Sequence, residues 1–380
     1  MQTQIHPLLS PSCGTQRQII SFHFAAASQG DAGPGASWPG KVYIQSGLHA
    51  GEIPGMLVSH HLKALLAEAE TQGRLQGEVV LVPLCNPIGV SQALLQYPIG
   101  RFEFSSGENF NRYYLSPDEE LAARVGEELG EDEGLNRALI RRALGQLLDD
   151  VQPQSELASM RLALQKLSYD ADLVIDLHSE SEGLLHLYAA RGQWERVEPL
   201  ARYLHCPVSL LADCYGDAPF DEAVFMPWQY LRRRFPDKPI PYDSVGITVE
   251  LRGEQDVSHE QASNDAVAIF AYLVQQGVIS GKAAPLPALA YPPTPLEGSQ
   301  TLIASVPGVL ATLLPVGTPV AAGELVAEIV DPVSGHCERL YSPAAGLLYA
   351  RSLYRFVKRG DTIAKVAGSQ IGKKARLLDA

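Results

Sequence analysis

The feature that most constrains the fold of this 380-residue sequence is a series of continuous apolar runs that alternate with helix-like segments. The runs lie at residues 41–47, 78–84, 171–177, 184–190 and 246–251. They are short and rich in Val, Ile and Leu, which predicts strands buried on both faces. Helices are predicted at 54–70 and 256–276. The sequence therefore predicts an α/β fold with a mixed, mostly parallel sheet flanked by helices.

The helix predicted at 54–70 begins at Pro54, a residue suited to the first turn of a helix. Its apolar spacing predicts one buried face, formed by Met56, Leu57, His60, His61, Ala64 and Leu65.

The chain is longer than one hydrophobic core usually serves, which predicts about two domains. We assign residues 1–280 to a first, larger domain with a helical insertion at about 116–169. The sequence leaves open whether this insertion is a lid, an oligomer contact or a plain pair of surface helices. Residues 281–300 are proline-rich and predict a linker. Residues 301–380 form the second domain.

Residues 301–380 contain an internal repeat, in which Gly308 matches Gly346 and Gly323 matches Gly360, an offset of 37 to 38 residues. Two copies of a short β pattern predict a small β-barrel that resembles lipoyl and biotinyl carrier modules. The connection at 331–339 contains no Lys to which such a group could be attached. We therefore expect the fold of a carrier module without its function.

Composition excludes several classes of function. A net charge of −13 argues against a nucleic-acid-binding surface, which needs a basic stripe. There is no run of about 18 apolar residues, so no membrane span is expected. The first residues lack the pattern of a signal peptide. Five scattered cysteines without C-x-x-C spacing suggest reduced thiols and a cytoplasmic protein. The sequence leaves open whether the chain forms homo-oligomers.

Two histidines and one glutamate follow predicted strands in a pattern that suits a metal ion. His49 and Glu52 lie three residues apart on a turn that leaves the strand at 41–47, and His178 ends the run at 171–177. A single histidine after a strand is more often a loop or capping residue, so His49 alone carries little weight. Together the three form the His₂Glu set of a catalytic zinc site, with one position left for water. We predict one Zn²⁺ per chain.

Further polar residues suit the reaction of a small amide near this zinc. Glu250 is flanked by apolar residues and could serve as a general base and acid; the alternative is a buried ion pair with Arg252 or Arg112. Asn111 and Arg112 offer amide and guanidinium donors for a substrate carboxylate. Arg101 could provide a second cation for that carboxylate or for the reaction oxyanion, or form a surface salt bridge.

Five motifs occur in the order seen in zinc carboxypeptidases. They are Gly47-Leu48-His49-x-x-Glu52, Asn86-Pro87-x-Gly89, Asn111-Arg112, Ile175-Asp176-Leu177-His178-Ser179 and Thr248-Val249-Glu250-Leu251-Arg252. With the C-terminal β module, they resemble the succinylglutamate desuccinylase/aspartoacylase family of that superfamily.

The resemblance implies zinc held by His49, Glu52 and His178, with Glu250 as general base and acid. It implies that Asn111 and Arg112 hold a substrate carboxylate. Arg101 would be a second partner of that carboxylate or would stabilise the reaction oxyanion. The sequence departs from the family in having Ala50-Gly51 before the metal-ligating glutamate, where Gly-Asn is usual. The tyrosine of the family has two candidates, Tyr230 and Tyr242.

These observations predict a zinc-dependent amidohydrolase that deacylates an N-acyl amino acid or a similar small carboxylate-bearing amide, using zinc-activated water. One alternative is a metallocarboxypeptidase that acts on peptide C-termini. The other is a non-catalytic binding protein with this fold, against which the complete metal set and Glu250 argue. The expected partner is a small acyl amino acid or peptide substrate, with no nucleic acid and no membrane.

Overall fold

The computed structural model describes residues 1–25, 40–214 and 216–368. The strands of the first 280 residues are β1 (Gln2–Pro7), β2 (Gln18–Phe24), β3 (Lys41–Ser46), β4 (Glu78–Val82), β5 (Ala93–Leu94), β6 (Tyr97–Pro98), β7 (Leu173–Glu180), β8 (Glu182–Gly183), β9 (His186–Ala190), β10 (Val208–Ala212) and β11 (Val245–Gly253).

The helices are α1 (Pro54–Thr71), α2 (Pro87–Val90), α3 (Asp118–Val125), α4 (Glu133–Asp150), α5 (Glu156–Ser168), α6 (Trp194–Tyr203), α7 (Phe220–Arg234) and α8 (His259–Gln275). In the part of the chain that the structure describes, none of them is both long and apolar enough to cross a membrane.

The strands of the remaining residues are β12 (Thr294–Pro295), β13 (Ser299–Ile303), β14 (Gly308–Leu313), β15 (Pro319–Val320), β16 (Leu325–Val330), β17 (Cys337–Tyr341), β18 (Gly346–Arg351), β19 (Phe356–Val357) and β20 (Thr362–Ala367). Residues 369–380 of the predicted C-terminal domain lie outside the described residues.

A nine-stranded sheet organises the larger part of the chain, in the order β1-β2-β4-β3-β7-β11-β9-β10-β12. Five of its eight strand pairs are parallel, and the pairs β1/β2, β2/β4 and β9/β11 are antiparallel. The predicted mixed, mostly parallel sheet is confirmed. Its three central strands β3, β7 and β11 run in the same direction, so their carboxyl ends meet at one edge.

Helices cover both faces of this sheet. Val42 and Ile44 of β3 point into a core that they share with α1, α6 and α8. Tyr43, between them, points into a second core that includes residues of α5 and α7. Because neighbouring side chains on a strand alternate between faces, a run that is apolar at every position needs cover on both sides.

Helix α1 is one residue longer than predicted, and its buried face differs from the prediction. Its buried apolar stripe contains Val58, Leu62 and Leu66, whereas His60 and Ala64 are exposed. The stripe is rotated by one residue position, and Leu57 and Leu65 are only partly buried against the core. Both stripes of this alanine- and leucine-rich helix are apolar, so periodicity alone could not separate them.

The segment predicted as a helical insertion contains α3, α4 and α5. Leu157, Met160 and Leu164 of α5 belong to the core beneath the large sheet. Leu121 of α3 and Ile140 of α4 pack with residues of α7 in a separate cluster. At least α5 is therefore part of the layer that supports the sheet rather than a surface helix.

The C-terminal strands form two small antiparallel sheets, in the orders β13-β20-β18-β15 and β17-β16-β14-β19. The internal repeat explains their arrangement. The first copy pairs β14 with β16 and receives the short strand β19 from the second copy; the second pairs β18 with β20 and receives β15 from the first. A shared apolar core joins them. Their likeness to a lipoyl-type barrel stays an interpretation.

The C-terminal strands contact the large sheet beside the carboxyl end of its central strand β7. The short strand β8, two residues after β7, pairs with β18, so that Glu182 lies opposite Arg351. Arg351 also forms an ion pair with Glu182. This connection brings residues of β18 and β20 next to the carboxyl end of β7.

Candidate active site

The turn that follows β3 presents His49 and Glu52. It begins at Gly47, whose φ of +73° lies in the left-handed region that glycine adopts without strain. Gly100 packs against the same turn: its carbonyl accepts a hydrogen bond from the Ala50 N–H at 2.8 Å, and a Cβ at Gly100 would lie 2.5 Å from the Gly51 nitrogen. Two glycines thus allow the close packing that fixes this turn.

His49, Glu52 and His178 converge as the sequence predicts. Nδ1 of His49 lies 2.9 Å from Oε1 of Glu52, and Nδ1 of His178 lies 2.9 Å from Oε2 of the same carboxylate. All three side chains are buried, and their ligand atoms lie within 4.8 Å of one another. Among the described residues, no other group of three or more His, Cys, Asp or Glu side chains converges in this way.

Two residues that the sequence analysis gave no role hold the histidine rings from behind. Nε2 of His49 lies 2.8 Å from Oδ1 of Asn109, which also accepts a hydrogen bond from the Asn111 N–H. Nε2 of His178 lies 2.9 Å from Oδ2 of Asp176. The Asn109 oxygen only accepts, so Nε2 of His49 carries the proton and its Nδ1 is left to bind a metal. The negative charge of Asp176 beside Nε2 of His178 favours a proton on that nitrogen as well.

The titration behaviour of the three side chains follows from burial and from their mutual charges. Burial, followed by the nearby Arg101, lowers the pKa of His49 to about 4. Burial would raise the pKa of Glu52, but His49 and His178 hold it well below the usual range. Burial would lower the pKa of His178, but Asp176 and Glu52 raise it well above its ordinary value. Glu52 is therefore an anion held between two imidazoles.

This donor set fits a divalent metal ion. Two imidazole nitrogens and one carboxylate oxygen, all aimed at one point, are the protein ligands of catalytic zinc sites that keep one position open. The excess of negative charge around His178 would be balanced by a dication that takes the place of its proton.

Glu250 lies on β11 directly opposite His178 on β7, in the register of the parallel pair. It is half-buried, and its Oε2 is shielded from solvent with no hydrogen-bond partner among the described residues. Burial, followed by the charge of Glu52, raises its pKa to about 8. The alternative ion pair with Arg252 does not form, because Arg252 pairs with Asp265 on α8.

Asn111 and Arg112 lie beside the same cavity, and Asn111 is held in a fixed orientation. Its Oδ1 accepts a hydrogen bond from the Phe220 N–H at 2.8 Å, which leaves the Nδ2 group as the available donor. Arg112 donates to the Asn111 carbonyl at 2.7 Å. Both side chains are buried apart from the cavity that they line.

Arg101 reaches the metal-ligand cluster from the cavity side. Its Nη1 lies 3.1 Å from Oε1 of Glu52, and its side chain is 44% exposed. Arg101 therefore forms a salt bridge, as the alternative interpretation expected, but its partner is the buried Glu52 rather than a surface acid. Its guanidinium is thus a cation next to the point where the three ligands meet.

These residues line one cavity of about 780 Å³ that both parts of the chain enclose. The large sheet and its loops contribute the metal-ligand set, the proposed base and the proposed substrate contacts: His49, Glu52, His178, Glu250, Asn111, Arg112 and Arg101. The C-terminal strands contribute Arg351, Tyr354 and Lys365. Nζ of Lys365 lies 2.7 Å from Oε1 of Glu180, which ends β7 two residues after His178. The C-terminal sheets therefore form one wall of the candidate active site.

Neither tyrosine proposed from the sequence is among the described residues that line this cavity. Tyr230 packs with the helices α3, α4 and α7, and Tyr242 lies under the guanidinium of Arg232. The tyrosines that do line the cavity are Tyr188 on β9 and Tyr354 after β18. Tyr354 lies in the C-terminal part of the chain, where no motif pointed to it.

Residues 39–275 match the family model for the catalytic domain of succinylglutamate desuccinylase and aspartoacylase. Among proteins of curated function, none matches this chain in sequence.

Several solved structures share the fold over nearly the whole chain. A succinylglutamate desuccinylase/aspartoacylase family protein from Shewanella amazonensis SB2B is 23% identical with a TM-score of 0.81; the alignment covers 97% of this chain and 98% of that one. A protein of the same description from Shewanella frigidimarina NCIMB 400 gives the same identity and TM-score, with 97% of each chain covered. The product-bound ectoine utilization protein EutE (DoeB) from Ruegeria pomeroyi is 16% identical, with a TM-score of 0.65 over 96% of this chain and 99% of its own.

Proposed function

The chain belongs to the succinylglutamate desuccinylase/aspartoacylase family, and from this premise we propose that it is a zinc-dependent amidohydrolase that deacylates an N-acyl amino acid or a similar small carboxylate-bearing amide. The single observation that carries the proposal is the convergence of His49, Glu52 and His178 in a cavity that also contains Glu250. Metal ligands alone could form a purely structural metal site. The carboxyl group of Glu250, which lies nearby with a buried oxygen and no hydrogen-bond partner for it among the described residues, favours a catalytic site.

In this proposal, His49, Glu52 and His178 hold the zinc. A zinc ion bound there supplies a Lewis acid that lowers the pKa of a water molecule to about 7 and polarises the scissile carbonyl group. The hydrogen bond between Nε2 of His49 and Asn109, and the Asp176 carboxylate beside Nε2 of His178, would orient the two rings so that their Nδ1 atoms can bind the ion.

Glu250 is the proposed general base and acid. Its Oε2 has no partner in the described structure, so it can accept a proton from water as the oxygen adds to the carbonyl carbon. The proton then passes from Glu250 to the amide nitrogen, the C–N bond breaks, and a carboxylic acid and an amine leave. Burial raises the pKa of Glu250, which favours its holding the proton until the amide nitrogen accepts it.

Asn111 and Arg112 are the proposed anchor for the free carboxylate of the substrate. The fixed Nδ2 group of Asn111 and the guanidinium of Arg112 offer donors on the same side of the cavity. Arg101, beside the metal ligands, is placed to donate to the oxygen that becomes negative during the reaction. A cavity of about 780 Å³ has the size that binds small molecules, and the C-terminal strands supply part of its lining.

The test is a substrate screen on zinc-loaded protein with a panel of N-acetyl and N-succinyl amino acids. Unblocked dipeptides and C-terminally free blocked dipeptides serve as probes of carboxypeptidase activity. Hydrolysis of the acyl amino acids, without hydrolysis of the dipeptides, would support the deacylase. Preferential release of a C-terminal residue from the dipeptides would replace it with the carboxypeptidase alternative. Binding without turnover of any of them would favour a non-catalytic protein.

We further propose that residues from about 301 onwards act as the wall of the active site and not as a carrier of lipoate or biotin. The contacts of Arg351 with Glu182 and of Lys365 with Glu180 support this role. The connection between β16 and β17, where a carrier would present its lysine, contains none. An intact mass free of a lipoyl or biotinyl adduct would agree with this proposal.

A further inference from the structure

Buried polar side chains surround Asp176, the residue behind the ring of His178, and the proposed reaction gives them no role. Gln45 on β3 and Asp176 on β7 are fully buried, and they lie directly opposite each other in the register of this parallel strand pair. Both point to the face of the sheet that packs against α5 and α7, because Tyr43 and Val174, two residues before them, belong to that core. His178, two residues after Asp176, points to the same face.

The carboxylate of Asp176 has no hydrogen bond among the described residues. Its Oδ2 lies 2.9 Å from Nε2 of His178, but the two atoms are not aligned as a hydrogen bond, and both carboxylate oxygens are shielded from solvent. A carboxylate that orients an imidazole must itself be fixed, because a carboxylate that can rotate does not define the orientation of its neighbour. Asp176 therefore needs hydrogen-bond donors from the residues around it.

The side-chain amide of Gln45 is oriented so that its donor is available. The Tyr43 hydroxyl donates a hydrogen bond to Oε1 of Gln45 at 2.8 Å. This bond leaves Nε2 of Gln45, which is buried and has no hydrogen-bond partner in the described structure, as the donor. Neighbouring strands lie about 4.8 Å apart, so this amide can reach the carboxylate of Asp176 directly or across one water molecule.

A second donor without a partner comes from Tyr114, in the loop between β6 and α3. Its ring packs edge-on against Phe220, which also contacts the ring of Tyr43. Its hydroxyl is buried and has no hydrogen-bond partner among the described residues. Burial raises the pKa of Tyr114 well above its usual value, and Cys85 and Asp176 add to this effect. The hydroxyl therefore stays protonated, and it lies near enough to Asp176 to be affected by its charge.

We propose that Gln45 and Tyr114 hold the Asp176 carboxylate, and that Gln45 is thereby a positioning residue for the metal site. Asp176 in turn orients the ring of His178. Two buried acceptor oxygens and two buried donors then satisfy one another, directly or through internal water. The inference rests on the proposed function and deepens it, because it links β3, which leads to the other two metal ligands, to the strand that carries His178.

Packing alone does not account for the amide at position 45. An apolar side chain of similar size would fill the same space without burying a donor that has no partner, which destabilises a folded protein. The Tyr43 hydroxyl has its hydrogen bond only because Gln45 is there. Replacing both side chains by apolar ones of the same shape would therefore remove the cost of two buried polar groups. The pair is favourable only if the free end of the Gln45 amide reaches an acceptor, and Asp176 is the neighbouring one.

The test is a double-mutant cycle on the zinc affinity, which competition with a chelator of known affinity measures. Gln45→Met keeps the length of the side chain and removes its donor. We expect this change to weaken zinc binding by roughly 10-fold, the lower end of the range for residues that support a metal ligand. In the Asp176→Ala background the same change should weaken zinc binding much less, because the carboxylate that Gln45 holds is absent.

Gln229→Met is the matched control. Gln229 on α7 is also a buried glutamine whose Nε2 has no hydrogen-bond partner among the described residues, and it is not one of those that line the cavity. This variant should bind zinc like the wild type. Tyr114→Phe removes only a hydroxyl and should weaken zinc binding as well.

Wild-type zinc affinity in either Gln45→Met or Tyr114→Phe would overturn the proposal. A loss of affinity that is equal with and without the Asp176 carboxylate would also overturn it. If Gln45→Met does not fold, Tyr114→Phe combined with Asp176→Ala completes the same cycle and decides in its place.

Urea unfolding of the metal-free protein separates this inference from the proposed function. Gln45→Met should reduce the free energy of unfolding less in the Asp176→Ala background than in the wild type, a coupling that needs no metal. If the wild type binds no zinc, this coupling supports the link between Gln45 and Asp176 while the zinc-dependent hydrolase is refuted. Additive losses would refute the link even if the protein binds zinc and hydrolyses acyl amino acids.

Discussion

Glu250 lies directly opposite His178 in the register of the parallel strands β11 and β7. A proposed general base and a proposed metal ligand are therefore fixed on adjacent strands of the most buried part of the sheet. Strand pairing sets their separation without help from a loop. A backbone held by hydrogen bonds on both sides is the kind of support that a preorganised site needs.

The first prediction concerns the residues behind the histidine rings. Asp176→Asn keeps the shape of the side chain but removes the charge that faces Nε2 of His178. Asn109→Leu removes the acceptor for Nε2 of His49. Each change should weaken zinc binding by roughly 10- to 100-fold, because such partners orient the ligand and raise its basicity. Competition with a chelator of known affinity measures the effect.

Asp170→Asn is the control for this experiment, because Asp170 forms an ion pair with Lys41 outside the cavity. It should bind zinc like the wild type. Unchanged zinc affinity in both Asp176→Asn and Asn109→Leu would mean that these side chains only fill space behind the rings.

The second prediction concerns the proposed base. Glu250→Gln keeps the size of the side chain and removes its ability to take up a proton. The rate on the best acyl amino acid should fall roughly 10²- to 10⁴-fold, the usual contribution of general acid–base catalysis, while the zinc content stays near one per chain. Steady-state kinetics with metal analysis checks both parts. A variant that loses its zinc, or keeps its rate, would contradict the assigned role.

The third prediction concerns the carboxylate anchor. Arg112→Lys retains a positive charge but loses the planar fork that can hold a carboxylate through two hydrogen bonds. The kcat/KM should fall roughly 10- to 150-fold, and esterifying the substrate carboxylate should cost the wild type a similar factor. The Arg112→Lys variant should then show similar kcat/KM values for the free acid and its ester. Equal wild-type rates on acid and ester would show that the pocket does not recognise a carboxylate.

The fourth prediction concerns acid stability. Burial lowers the pKa of His186 from 6.5 to about 4. Between these values the unfolded chain binds a proton that the folded protein does not, so the free energy of unfolding falls as the pH falls. The loss should reach roughly 3 kcal/mol at pH 4, because one pKa unit corresponds to about 1.4 kcal/mol.

Urea unfolding of metal-free protein between pH 7 and pH 4 measures this contribution. His186→Asn can still donate a hydrogen bond to the Leu184 carbonyl but cannot titrate in this range. Its free energy of unfolding should therefore fall less steeply than that of the wild type. Parallel curves for the two proteins would show that His186 does not carry the effect.

Much of the fold could be predicted because apolar runs are a local signal. The strands β3, β4, β7 and β11 each lie within a few residues of the predicted runs. The buried face of α1 could not be predicted, because its neighbouring stripes are both apolar and only the tertiary packing selects between them. The spacing of the glycines revealed the internal repeat. It did not reveal that the two copies exchange the short strands β15 and β19, because strand pairing is not encoded in that spacing.

The metal set could be predicted because its residues follow strands whose carboxyl ends meet. The supporting residues were harder to find. Asn109 lies 60 residues from His49, and no local pattern connects them. Asp176 had a signal that was overlooked, since positions i and i+2 of a strand share one face and place a carboxylate beside His178. Tyr354 reaches the cavity from a distant segment, so only the three-dimensional structure could reveal it.

The most direct test of the central claim is a zinc titration of metal-stripped protein, followed by the rate on the best acyl amino acid. We predict no activity without metal and a linear recovery that ends at about one zinc per chain, the number of ions that one His₂Glu set can hold. His49→Ala and His178→Ala should show neither tight binding nor recovery. Full activity in the metal-stripped protein, or normal zinc-dependent activity in both variants, would contradict the account.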